Sequence, residues 1–189
     1  MKQVLLISGK SASGKDTIAN FMREELEAQN NRVLIIHFAD MVKFYAQTYF
    51  HWSGEKDING RALLQKIGTD MVRAQDPDYW VDAVARFVAV LDAYNDFDVA
   101  LVPDARFPNE IMEFKKYIPH IKTIRVIRYN PDGTLFFNPV FTMAQHKHSS
   151  ETALDTYHEF DYIVEHSQDD LQDLRDSAHV ILKDLQLVE

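Results

Sequence analysis

The sequence predicts an α/β fold: a five-stranded parallel sheet with helices on both faces, three layers in all. Three observations carry that expectation. Short apolar runs alternate with amphipathic helical stretches along the whole chain, the order that right-handed strand–helix–strand crossovers require. The runs Val4-Leu5-Leu6-Ile7, Val33-Leu34-Ile35-Ile36 and Val99-Ala100-Leu101-Val102 are apolar on successive residues, as strands covered on both faces should be. Charged residues gather just after several of those runs, at the strand ends where open parallel sheets bind ligands.

Taken in order, the first run is followed by Gly9-Lys10-Ser11-Ala12-Ser13-Gly14-Lys15-Asp16-Thr17 and then by a helical stripe of Ile18, Phe21, Met22 and Leu26 that lasts to about Ala28. A second strand spans Arg32 to His37. Asp40 is placed to cap a helix from about Met41 to Phe50. After a polar break at Ser53 to Gly60, Arg61 to Arg73 reads as a helix with Leu64, Ile67 and Met71 on its apolar stripe. Arg61, Gln65, Thr69 and Arg73 climb its other side at intervals of four. Pro77 opens the next helix, whose stripe is Val81, Val84, Val88 and Leu91. The third strand ends at Val102, before Pro103 and Asp104. A helix then runs to about Tyr117 and a fourth strand from Thr123 to Ile127. Tyr129 to Ser149 is turn-rich, a length that in a compact domain marks a functional or mobile stretch. Ser150 to Phe160 reads as helix, Tyr162 to Val164 as a fifth strand, and Leu171, Leu174, Ala178, Ile181 and Leu185 as the apolar face of a last helix.

Composition narrows the function. The chain has 189 residues, enough for one domain with a substantial core. Its net charge of -9 has the wrong sign for gripping a nucleic-acid backbone. No apolar run approaches the roughly 20 residues of a membrane span. Met1-Lys2-Gln3 leads straight into strand one without a signal-peptide pattern, so a cytoplasmic location is expected. There is no cysteine, which removes disulfides, thiolate nucleophiles and cysteine–zinc sites. The sequence leaves open whether the chain acts alone or as a homodimer.

The strongest chemical signal is the loop at Gly9 to Thr17. Strand, glycine-bounded G-x-x-x-x-G-K, then helix is the arrangement that cradles a polyphosphate on backbone N–H groups and a helix N-terminus. Lys15 adds a point charge. Asp16 stands where a Ser or Thr would meet a metal, with Thr17 one place later, and the spacing leaves open which of them does so. Asp104, at the end of an apolar strand, suits either a carboxylate for Mg²⁺ or a helix cap. Arg106, two residues on, suits a transferring phosphoryl group. Arg125 and Arg128 flank the fourth strand, and Arg128 is the better placed for phosphates, with Arg125 structural. His146 and His148 lack a third ligand for a metal. Asp57-Ile58-Asn59-Gly60 follows no strand, and the chain has no N-K-x-D, so a GTPase reading fails. No Ser–His–carboxylate pattern suggests a hydrolase. Phosphoryl transfer, which needs mainly positioning and charge neutralisation, fits what is present.

Several segments together carry a family resemblance: Gly14-Lys15-Asp16-Thr17; Phe38-Ala39-Asp40 with Lys43; Leu64-Gln65-x-x-Gly68-Thr69-Asp70-x-x-Arg73; Trp80; Asp104-x-Arg106-Phe107-Pro108-Asn109-Glu110; and His148-Ser149-Ser150-Glu151. In this order they make the chain similar to the bacteriophage deoxynucleoside monophosphate kinases, relatives of adenylate kinase among the P-loop kinases. The resemblance extends from the first strand to the fifth. It implies a single kinase domain with a helical monophosphate-binding region at about 39–95 and a lid at about 129–150, using ATP and Mg²⁺. Gly9, Ser11, Ala12, Ser13, Gly14, Lys15, Asp16 and Thr17 would hold ATP. Arg61, Gln65, Asp70, Arg73 and Trp80 would line the acceptor pocket, with Asp40 and Lys43 at its border. Arg106 would contact phosphate, and His148 to Glu151 would close the site. Lys15, Arg106 and Arg128 would carry catalysis, Asp16 and Asp104 the metal. Glu165 to Gln168 would pack the ATP base. The chain departs from the pattern in having no arginine between Tyr129 and Gln145, so lid closure would fall to Arg128, Lys147 and His148. Two rivals remain: a kinase for another small acceptor such as phosphomevalonate, and a nucleotide-binding switch.

Overall fold

A computed structural model describes residues 2–167 and 171–189. Five parallel strands form the sheet: β1 (Gln3–Gly9), β2 (Val33–Ile35), β3 (Val99–Ala105), β4 (Ile121–Tyr129) and β5 (Tyr162–Ser167), in spatial order β2-β3-β1-β4-β5. From β1 the chain goes out to the edge strand β2, returns through β3 beside β1, and then crosses to β4 and β5 on the other side. The crevice at that reversal lies beyond the C-terminal end of β1, where the glycine-bounded loop begins.

Side-chain alternation divides the core in two. Leu5, Ile7, Leu101, Ile124 and Val126 face α1 (Lys15–Ala28) and α8 (Leu171–Asp184) through Ile18, Met22, Leu26, Leu174 and Ala178. Val4, Leu6, Ala100 and Val102 face the opposite way, onto Val81, Val84 and Val88 of α4 (Tyr79–Ala93) and Ile111 and Phe114 of α5 (Pro108–Tyr117). Both faces of the sheet are thus dry, as the continuous apolar runs require. A third, smaller cluster of Val42, Ala46, Ile67 and Trp80 joins α2 (Ala39–Phe50) to the segment that follows α3 (Ile58–Gln65). No described helix is long and apolar enough to cross a membrane.

Several local expectations change. Strand β2 is only three residues long. Asp40 lies inside α2 and not at its cap; Asp104 takes the cap role from across the sheet. Strand β3 runs on through Pro103 and Asp104, because the pairing of Leu6 with Val102 and of Ser8 with Ala105 leaves one extra residue on β3. Such a bulge absorbs a proline that a regular ladder would refuse. Past β4, Met143–His146 (α6) and Ser149–Thr152 (α7) are single turns, so the helix expected over Ser150 to Phe160 shrinks to one. Glu165, His166 and Ser167 are strand, not loop; Gln168 lies outside the described residues. Leu171 is exposed, and the apolar face of α8 is Leu174, Ala178, Ile181 and Leu182.

The largest departure is at Lys66–Arg73, which is π-helical. In an α-helix, residues four apart drift around the axis by about 40° per step. An i→i+5 turn needs more than four residues, so the drift there runs the other way. The α turn from Arg61 to Gln65 and the π turns from Gln65 to Arg73 drift in opposite senses, which confines the row to a narrow arc. The polar row stays on one side facing inward, and Met71 is turned out to solvent at 42% exposure while Ile67 is buried at 2%. Ile67→Ala should therefore cost about 2–5 kcal/mol in a urea melt, while Met71→Ala should stay within about 0.5 kcal/mol. A regular α-helix with both on one stripe would make the two losses alike.

Candidate functional site

The loop after β1 is built for close approach. A Cβ on Gly9 would stand 2.2 Å from Ser13 Oγ and 2.8 Å from the Val126 carbonyl oxygen. Gly14 has φ 94°, a backbone region open to glycine, and His166 fills the space beside it, donating from Nε2 to the Ser13 carbonyl at 2.8 Å. Helix α1 starts at Lys15, so its first N–H groups open toward the loop. The hydroxyl of Ser13 is buried and has no hydrogen-bond partner among the described residues. An orphaned donor, a glycine cradle, a helix N-terminus and a buried lysine fit a polyphosphate.

Lys15 and Asp16 reach into a cavity of about 250 Å³. It is lined by the polar row Arg61, Gln65, Thr69 and Arg73 with Gly68 and Trp80, by His37, Lys43, Asp104, Arg106 and Glu110, and by Phe107, Phe141 and Glu151. Most of the residues expected around an acceptor are thus together. Asp70 is not: its carboxylate points to solvent and meets only His148 Nε2, at 3.4 Å. Asp40 stands behind the wall, accepting from Lys43 Nζ at 2.8 Å and from the His37 N–H at 2.9 Å.

Three residues have structural partners that the sequence did not identify. Both carboxylate oxygens of Asp104 accept backbone N–H groups of the α2 N-terminus, Phe38 and Ala39, each at 2.9 Å; the β3 bulge aims it there. Arg73 lies across the Phe107 ring at 3.9 Å, pairs with Glu110 and donates to Asn109 Oδ1 and the Pro77 carbonyl. Trp80 is buried, with its indole N–H on the Gly68 carbonyl at 2.8 Å, so it anchors the π segment.

The stretch after β4 is stitched to the outer turn of the glycine loop. Glu151 accepts the Ser11 N–H at 2.8 Å and pairs with Arg106. Asn138 donates to Ser11 Oγ at 2.9 Å. Lys10 reaches the Glu151 carbonyl and Asp155. Arg128 stacks on Phe136 at 4.1 Å and donates to the Ala12 carbonyl, so it braces the loop from outside the cavity. Arg125 is structural, as expected, donating to Ser8 Oγ and pairing with Asp155. His37, Lys56, Phe141 and Glu110 belong to the cavity although sequence reading gave them no role. The clue for His37 was its place at the carboxyl end of β2; Lys56 and Phe141 reach the cavity by loops whose path no local pattern encodes.

Charges in the cavity are shifted in opposite directions. Burial pushes the Lys15 ammonium down to about 7, helped by Arg106 nearby. Hydrogen bonds to Asp16 and then Asp40 raise His37 to about 9, and the same contact holds Asp16 below its usual range. Burial raises Glu110 to about 7 against the pull of Arg73, while its carboxylate accepts the N–H groups of Arg106 and Phe107. Among the described residues no group of three or more His, Asp or Glu side chains is arranged to hold a metal; Asp16 and Asp104 are hard oxygen donors on the Lys15 side of the cavity. At pH 8 the free Lys15 is mostly neutral, and a bound polyphosphate favours its charged form. Polyphosphate binding should therefore take up close to one proton at pH 8 and almost none at pH 6. Calorimetry in two buffers of different ionisation enthalpy reads that number directly.

No protein-family model matches the sequence, and no curated protein matches it. Solved structures do match in shape. A sugar kinase from Janibacter sp. HTCC2649, unliganded, aligns with TM-score 0.57 at 13% identity over 99% of this chain and 96% of that one. A protein described provisionally as a kinase from Chloroflexus aurantiacus j-10-fl aligns with TM-score 0.52 at 12% identity over 98% and 96%. At such identities the likeness is one of fold. The chain shares the three-layer α/β fold of these structures, with its five-stranded parallel sheet.

Proposed function

We propose that this protein is a kinase that moves the terminal phosphoryl group of ATP onto a nucleoside monophosphate, a deoxynucleoside monophosphate by its motifs, to give the diphosphate. One observation carries the reading: the Lys15 end of the glycine loop and the row Arg61, Gln65, Thr69 and Arg73 line one and the same cavity. A donor phosphate on the loop and an acceptor against the row would meet there in line, and phosphoryl transfer asks for little more than that placement and neutralised charge. Lys15 and Arg106 are the cations nearest the transfer point, and Gln65 offers an amide to a planar base. Arg128 holds the loop in shape. Mg²⁺ carried on the ATP phosphates would meet Asp16, with Asp104 behind it, and supplies charge neutralisation when bound. Ser150, Glu151 and Phe141, from the stretch after β4, also line the cavity, and closure on that side would keep water from competing with the acceptor.

A second reading, a kinase for a small phosphorylated acceptor without a base, is favoured by the burial of Trp80 at 2% exposure, which leaves little of that ring for stacking. ADP release from MgATP, with each deoxy- and ribonucleoside monophosphate offered in turn, separates the two. Turnover stimulated by nucleotides is expected, lowered about 100-fold or more in Lys15→Ala, with the acceptor KM raised about tenfold in Gln65→Ala. ATP binding without stimulation by any nucleotide would reject the acceptor and leave the second reading.

A further inference from the structure

The cations that line the cavity differ in what they already hold. Lys15 Nζ donates to the Lys10 carbonyl at 3.1 Å. Lys43 pairs with Asp40, Arg73 with Glu110 and Arg106 with Glu151. Lys56 is different. Its side chain lines the cavity, yet among the described residues its ammonium has no hydrogen bond and no carboxylate within 4.0 Å. Its charge reaches Asp16 across the cavity and contributes to holding that carboxylate ionised.

The loop that carries Lys56 is braced. The Trp52 indole N–H donates to the Glu55 carbonyl at 2.9 Å, the Asp57 carboxylate accepts the Gly60 N–H at 2.7 Å and caps α3, and Arg61 Nε donates to the Lys56 carbonyl at 2.8 Å. A Cβ on Gly60 would stand 2.1 Å from the Glu55 carbonyl oxygen, so the loop folds back tightly onto the start of α3. The backbone of Lys56 is fixed while its ammonium is uncommitted. Through that Nε bond Arg61 stands beside it on the acceptor wall, its guanidinium over the Phe141 ring at 5.2 Å. A cation with no protein bond to break meets an incoming anion without the exchange that a paired cation requires.

We propose that Lys56 is a catalytic residue of the transfer: its ammonium contacts the acceptor's phosphate, next to Arg61, in the cavity that Asp16 also lines. The assignment rests on the nucleoside monophosphate kinase reading above. It makes the loop between α2 and α3 part of the acceptor site, and it brings one positive charge to the point where the nucleophilic phosphate oxygen approaches the donor. That oxygen forms the new P–O bond as the bond to the ADP oxygen breaks, and Lys56 offsets the negative charge that accumulates between the two phosphates.

The test compares wild type with Lys56→Met and Lys56→Arg in steady-state ADP release, using the best acceptor from the nucleotide panel, alongside binding of MgATP alone. Loss of about tenfold or more in kcat/KM for the acceptor is expected in Lys56→Met, with partial recovery in Lys56→Arg and unchanged ATP affinity. Retained ATP affinity also shows that the variant is folded. If wild type turns over and Lys56→Met matches it, the Lys56 assignment is wrong and the kinase reading stands. If no nucleoside monophosphate stimulates wild type, the acceptor reading fails and takes the assignment with it.

Discussion

The carboxylate of Glu151 sits between the Ser11 amide and the Arg106 guanidinium, almost wholly out of water, and the geometry of the site depends on it. Three separate parts of the chain meet there: the glycine loop after β1, the segment after β3 and the turns after β4. A buried ion pair contributes little net stability, but losing one member strands a charge and costs several kcal/mol. The contact therefore favours this arrangement over alternatives more than it strengthens the fold. The same economy recurs at Arg73 and Glu110 and at Asp104 on the N-terminus of α2. Each is a charge spent on holding another residue still. The cavity is positioned by these ties and not by the hydrophobic core, which lies farther back on the two faces of the sheet.

That arrangement explains how an acidic protein can present a cationic cavity. The excess of carboxylates is spread over the surface, while lysines and arginines around the cavity are brought to one place from α1, α2, α3, the π-helical segment, the loop before α3 and the segment after β3. Paired cations are oriented in advance, so ligand binding need not order them. The lowered proton affinity of Lys15 is the counterpart: burial makes its charge costly until a phosphate arrives.

Much of this was legible in the sequence, for identifiable reasons. The glycine loop reads well because its spacing, the strand before it and the stripe after it all agree. The two faces of the sheet follow from apolar runs whose alternate residues point opposite ways. What failed were features decided by distant partners. Met71 sits on an α-helical stripe in the sequence, but the indole of Trp80 and the close approach of Gly68 to Val42 belong with a wider turn that no 3.6-residue template contains. Leu154, Tyr157 and Phe160 are spaced like a helix face, yet they are anchors of a turn-rich strand of chain whose Asp155 is drawn to Lys10 and Arg125. Asp104 suited either a metal carboxylate or a cap in the sequence, and the helix it caps is one more than sixty residues away. Lys56 and Phe141 carry no motif at all, because a loop's path is set by the contacts at its ends.

The π-helical stretch also bears on how such a chain can change over time. Wider turns of this kind commonly amount to an extra residue accommodated within an α-helix, and here that surplus keeps Arg73 over Phe107 and in register with Arg61 and Gln65. Loss of one residue between Lys66 and Arg73 together with relaxation to ordinary helix would remove that surplus and leave the residues beyond it near the same face, whereas loss of a residue with the wider turns kept would swing them off the row. Substitutions on this wall can accumulate one at a time, but a change of length is tolerated only together with a change of helix type. Related chains would thus be expected to pair the longer segment with wide turns and a segment one residue shorter with ordinary helix.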